Sequence, residues 1–111
     1  MMEHYKMVYS VDALQDLEEI YLYISTQLLV SEIAVNQVNR IRKAIRALDS
    51  MPTRFALVEW EPWHSMEVHK LPVDHYVVFY VVNANTTTVS IVRIFYDGRN
   101  IQEIIQSTRE N

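Results

Sequence analysis

The sequence predicts an α+β fold: an N-terminal strand, an antiparallel two-helix hairpin, then three antiparallel strands forming one sheet packed on the helices. Three observations predict it. Apolar residues recur at steps of three and four from Leu14 to Leu28 and again from Ala34 to Leu48, the period of an amphipathic helix. The second half is instead made of short runs of branched and aromatic residues, the composition of strands. Short polar turns separate those runs, and connections so short join only antiparallel neighbours. At 111 residues, 50% hydrophobic and 22% charged, the chain is sized for one domain, residues 1–111, with a single core.

Taken in order, Tyr5 to Tyr9 is aromatic and branched and reads as the first strand. Ser10 stands at a helix N-cap position, with Asp12 placed to answer the helix dipole. Leu14, Leu17, Tyr21, Ile24 and Leu28 then line one helical face, and Asp12, Asp16, Glu18 and Glu19 the outer one. Ser31 is the next N-cap candidate, and Ala34, Val38, Ile41, Ile45 and Leu48 repeat the spacing until Met51-Pro52 ends the helix. With so few residues between them, the helices pair antiparallel. Arg40, Arg42, Lys43 and Arg46 make the outer face of the second helix basic. That face is either solvated and salt-bridged to the acidic first helix, or a stripe for phosphates.

Thr53 to Ser65 is a connector holding Trp60 and Trp63, which either pack over a core edge or stack on a base or partner side chain. Ser65 to Leu71 alternates, with Met66 and Val68 inward and Glu67 and His69 outward, and Pro72-Val73-Asp74 reads as a turn. Tyr76 to Val82 is apolar throughout, as a central strand covered on both faces should be. Asn83 to Thr86 turns the chain into a strand from Thr88 to Tyr96. Gly98, the only glycine, is expected to supply a positive φ after it, and Ile101 to Gln106 to form a terminal helix. Both long helices should lie on one sheet face and leave the other partly open.

Composition excludes several chemistries. No cysteine is present, so disulfides, thiolate metal sites and cysteine nucleophiles are absent. One glycine cannot build a phosphate loop or a nucleophile elbow. His4, His64, His69 and His75 fit no common zinc spacing, so neither metal nor cofactor is expected. The longest apolar run is seven residues, against the roughly 20 of a membrane helix, and the N-terminus lacks the pattern of a signal peptide. A soluble, cytoplasmic protein without a membrane partner is expected. The net charge of −4 argues against a chain that binds polyanions as a whole, while leaving room for a local basic patch.

The densest candidate cluster is Arg93 to Asn100, at the end of the last strand. Alternation puts Arg93 and Phe95 on one side, Ile94 and Tyr96 on the other, and Arg99 past the edge. An arginine fork beside a phenol suits phosphate binding with base stacking or proton transfer; it equally suits a salt-bridged arginine beside a core-capping tyrosine. Glu59 and Glu61 flank Trp60 without a pattern that makes them converge.

Four stretches resemble the RelE/ParE superfamily of bacterial type II toxins: "YKMVYSVDALQD" at 5–16, the helix from Ala34 to Pro52, "LPVDHYVVFYVV" at 71–82 and "VSIVRIFYDGRNI" at 89–101. The resemblance implies a toxin neutralised by a cognate antitoxin. RelE-like members cut mRNA at the ribosome without metal, which needs a base, an acid and positive charge at the phosphate. By position this would make Arg99, Tyr96, Lys70 and His69 catalytic, with Arg42, Arg46 and Arg93 on RNA. ParE-like members inhibit DNA gyrase without a nuclease site. The position where nuclease members commonly carry an arginine on the central strand is Val77 here, and the chain is acidic. A metal-independent mRNA endonuclease is the first expectation; a gyrase-binding toxin, or an inactive antitoxin-binding module of plasmid stabilisation, are the alternatives. Acidic residues of an antitoxin would answer Arg40, Arg42 and Arg46.

Overall fold

A computed structural model describes residues 4–29, 31–98 and 100–109, Leu28 and 106–109 by their backbone. In chain order the elements are β1 (Lys6–Tyr9), α1 (Val11–Leu28), α2 (Ser31–Arg46), β2 (His69–Val73), β3 (Tyr76–Asn83), β4 (Thr88–Tyr96) and α3 (Ile101–Arg109), with short 3-10 turns at Ala47–Asp49 and Pro52–Arg54. The sheet runs β1-β4-β3-β2. β2, β3 and β4 pair antiparallel as expected, while β1 joins β4 parallel and makes the sheet mixed.

Ser10 caps α1 as its sequence position suggests, accepting a hydrogen bond from Ala13 N at 2.9 Å. The buried stripe of α1 is Ala13, Asp16, Leu17, Ile20 and Ile24, rotated from the expected one; Leu14 is exposed and Asp16, expected outside, is buried. Its apolar members, Ala13, Leu17, Ile20 and Ile24, pack with Ala34, Ile41 and Ile45 of α2 on the face of the sheet that carries Leu71, Tyr76, Val78, Tyr80, Val89, Ile91 and Ile94.

The other face is not open. Val77, Phe79 and Phe95 are covered by Val58, Trp63 and Val68 of the connector and by Ile105 of α3. Trp60 stacks on Trp63 (centroids 4.9 Å apart), and Trp63 packs on Phe79 at the same distance. Tryptophan therefore serves as the cover of a second core. The strand expected from Ser65 begins only at His69. Residues 61–67 turn, Met66 is exposed, and Pro72 and Val73 belong to β2, so the turn is Asp74-His75. β2 is an edge strand, where a missing proline N–H breaks no ladder.

Gly98 does not have a positive φ. A Cβ there would fall on the Tyr96 ring, which would have to shift. Left-handed turns are instead made by Leu29, Met51, Glu67, Asp74 and Thr87, each with φ between 47° and 57°. Such backbone costs an L-residue about 1–2 kcal/mol.

Candidate functional site

The expected site at the end of β4 is shaped by where β1 stops. β1 pairs with β4 only as far as Tyr9 opposite Ile91, so the last residues of β4 lack a strand on that side. The start of α1 supplies their partners. Ser10 N donates to Ile91 O (3.0 Å), Ser10 Oγ donates to Val92 O (2.8 Å), and Ile94 N donates to Asp16 Oδ2 (2.9 Å). A bulge at Val92 shifts the register so that Arg93 lies opposite Phe79.

Arg93 is committed to this edge. Its Nε and Nη2 donate to the two Asp16 oxygens at 2.8 and 3.0 Å, and its guanidinium lies 4.3 Å from the centroid of the Phe95 ring. The hydrogen bonds from the guanidinium to Asp16 raise its pKa further, against partial burial. Of the two expected roles, the salt-bridged arginine is the one present. Nothing but position in the apolar stripe marks Asp16 in the sequence, at three residues from Ala13 and four from Ile20. A carboxylate on such a stripe requires a buried partner.

Tyr96 is half-exposed, packs over Gly98 and meets the Tyr76 ring edge-on, with centroids 5.8 Å apart. Burial chiefly, with Tyr96 and Tyr23 nearby, raises the Tyr76 pKa. With Asp16, Glu19, Ile20, Tyr23, Ile94 and Phe95 these two rings line a cavity of about 590 Å³ between α1 and the end of the sheet.

The other candidate residues lie elsewhere. Lys70 shares a cross-strand row with Phe79 and Arg93, on the second face, and its Nζ is 3.6 Å from Glu59. Tyr96 alternates with Ile94 onto the helix face, three residues beyond that row. Two strand spacings and three residues place the Lys70 and Tyr96 backbones ~14 Å apart, with side chains directed to opposite faces. His69, expected outside, is buried; its imidazole stacks on Tyr80 and its Nδ1 is 2.7 Å from Phe55 O. Arg99 lies outside the described residues.

On α2, Arg42 lies over the Tyr9 ring, 5.4 Å from its centroid, and Arg40 pairs with Asp74 at 2.8 Å, not with α1. Arg40, Lys43 and Arg46 line a shallow depression with Asn36 and Asn39. Its basic side chains face solvent, as a stripe for acidic partners requires.

This arrangement of strand, helix hairpin and four-stranded sheet is the RelE/ParE fold. Among solved structures, the chromosomal ParDE system from P. aeruginosa matches with TM-score 0.68 and 21% identity, over 84% of this chain and 96% of that one. The archaeal RelE–RelB complex from Pyrococcus horikoshii matches at 0.60 and 15%, over 86% and 98%. The isolated E. coli RelE toxin matches at 0.54 and 15%, over 96% and 99%. No curated protein matches the sequence. The family described as the ParE toxin of the type II toxin–antitoxin system parDE matches residues 7–101, and the chain belongs to that family.

Proposed function

We propose that the chain is a toxin of the ParE kind, held in check by a cognate antitoxin and acting by binding DNA gyrase, not by cutting mRNA. The observation that carries this reading is the separation of the candidate catalytic groups. Cleavage by an adjacent 2′-hydroxyl needs base, acid and positive charge around one phosphate. Tyr96 and Lys70 lie on opposite sheet faces, and the His69 imidazole is buried against Tyr80. Arg93 is spent on Asp16. The sheet surface that could receive RNA carries the second core. Two of the solved relatives are paired toxin–antitoxin systems, and the exposed basic face of α2 suits an acidic antitoxin segment.

Two assays on the wild-type chain test the reading. Purified protein titrated into a gyrase reaction is expected to abolish supercoiling at saturation. Primer extension on an abundant mRNA after induction is expected to show no new cleavage sites. Normal supercoiling at saturating protein overturns the gyrase target. New in-frame cleavage sites that vanish in Arg99→Ala restore the endonuclease reading.

A further inference from the structure

The cavity beside Tyr96 has no part in that reading. It exists because α1 crosses the end of β4 where β1 has already stopped, touching the strand through Asp16 and leaving a gap beyond. Asp16, Glu19, Ile20 and Tyr23 follow one another on one helical face and form one wall; the sheet supplies the other. Ile20, Ile94 and Tyr76 are buried, whereas Tyr23 and Tyr96 are 66% and 50% exposed and stand at the rim.

Among the described residues, carboxylates outnumber cations around this cavity. Asp12, Asp16 and Glu19 all act on a single guanidinium, Arg93. Asp16 is fully engaged, its oxygens taken by Arg93 and Ile94 N. Glu19 is exposed and makes no ion pair or hydrogen bond among the described residues. Tyr23 and Tyr96 both act on Tyr76, so the three phenols converge. The faces of aromatic rings attract cations, and so does the surplus of carboxylates. An anion is repelled here, and a neutral apolar ligand leaves Glu19 unanswered.

We propose that this cavity binds an organic cation, a guanidinium or alkylammonium carried on an apolar stem. The stem lies against Ile20 and Ile94, and the charged head sits between the Tyr23 and Tyr96 rings within reach of Glu19. At about 590 Å³ the cavity is within the range of small-ligand sites. The inference depends on neither gyrase nor mRNA as target.

The test titrates the purified chain with N-acetyl-arginine amide, with its uncharged isostere N-acetyl-citrulline amide, and with spermidine, reading tyrosine ring resonances by NMR. The arginine compound is expected to shift the Tyr23, Tyr76 and Tyr96 rings, and the citrulline compound to bind at least tenfold more weakly. Glu19→Gln and Tyr23→Leu alter exposed positions, and each is expected to weaken binding about tenfold with the backbone spectrum unchanged. Equal binding of the citrulline compound, indifference to Glu19→Gln, or shifts confined to other residues overturn the proposal. Tighter binding of the arginine compound than of spermidine upholds the site and assigns it to a partner's side chain; the reverse order upholds it and assigns it to a free amine.

Discussion

Asp16 joins two jobs in one side chain. It takes the N–H of Ile94 that no strand is there to accept, and it pairs with Arg93. Asp16→Ala leaves a partly buried guanidinium and an orphaned N–H, and is expected to lower unfolding free energy by about 3 kcal/mol in urea denaturation. Replacing both partners with leucine should recover only the part due to the unpaired guanidinium, because the Ile94 N–H stays without an acceptor. Arg93→Leu alone, which leaves Asp16 to Ile94 N, against the double variant separates the two parts. Tyr80 gives a second prediction, on pH. Its hydroxyl donates to Pro52 O at 2.6 Å, and burial pushes its pKa up to about 12. The folded state therefore holds the proton more tightly than the unfolded one. The stability this contributes is complete below pH 10, the unfolded value, and is lost as pH rises towards 12. Tyr80→Phe should flatten that alkaline limb while costing about 1 kcal/mol at pH 7 for the missing hydrogen bond. Denaturation at pH 7 and at pH 11 measures both.

At the scale of elements, β1, α1, α2, β3 and β4 were legible because each is a periodic or continuous apolar pattern with a cap or break beside it. The segment from 61 to 73 was not, for two physical reasons. Its apolar residues answer the far face of β3 through Trp63 and Val68, so their spacing follows a loop draped over a sheet and not a strand. Pro72 reads as a turn until the strand that holds it is known to be an edge. The site was half legible. Tyr96 and Gly98 stood out, but what joins them is a ring lying on a backbone, and Asp16 was hidden among the other acids of α1. A scarcity of glycine has its own consequence for the elements. Leu29, just past α1, is 85% exposed and left-handed at φ 56°, a position that helices usually give to glycine. Leu29→Gly removes the Cβ strain and loses little packing. It is expected to raise unfolding free energy by about 0.5–1 kcal/mol in urea denaturation, with no change in the slope.

For the whole molecule, the net charge of −4 conceals a separation of sign. Asp12, Glu18 and Glu19 are exposed on α1, while Arg42, Lys43 and Arg46 are exposed on α2. Screening at 0.15 M salt has a range of about 8 Å, so a partner approaching one helix feels that helix more than the sum. Not every cation on α2 is equally available, since Arg40 already holds Asp74 and its hydrogen bonds keep that carboxyl below the usual range. Lys43 and Arg46 have no such carboxylate partner among the described residues. The acidic chain is therefore expected to be retained on immobilised heparin at pH 7 and low salt, and to elute as salt rises. Lys43→Glu with Arg46→Glu should abolish retention, whereas Lys6→Glu, at another exposed cation on β1, should leave most of it. Passage of the wild-type chain straight through the column would mean that net charge governs its encounters. Retention lost only in the α2 variant would mean that the helix presents its own field to an acidic partner, whatever the sign of the molecule as a whole.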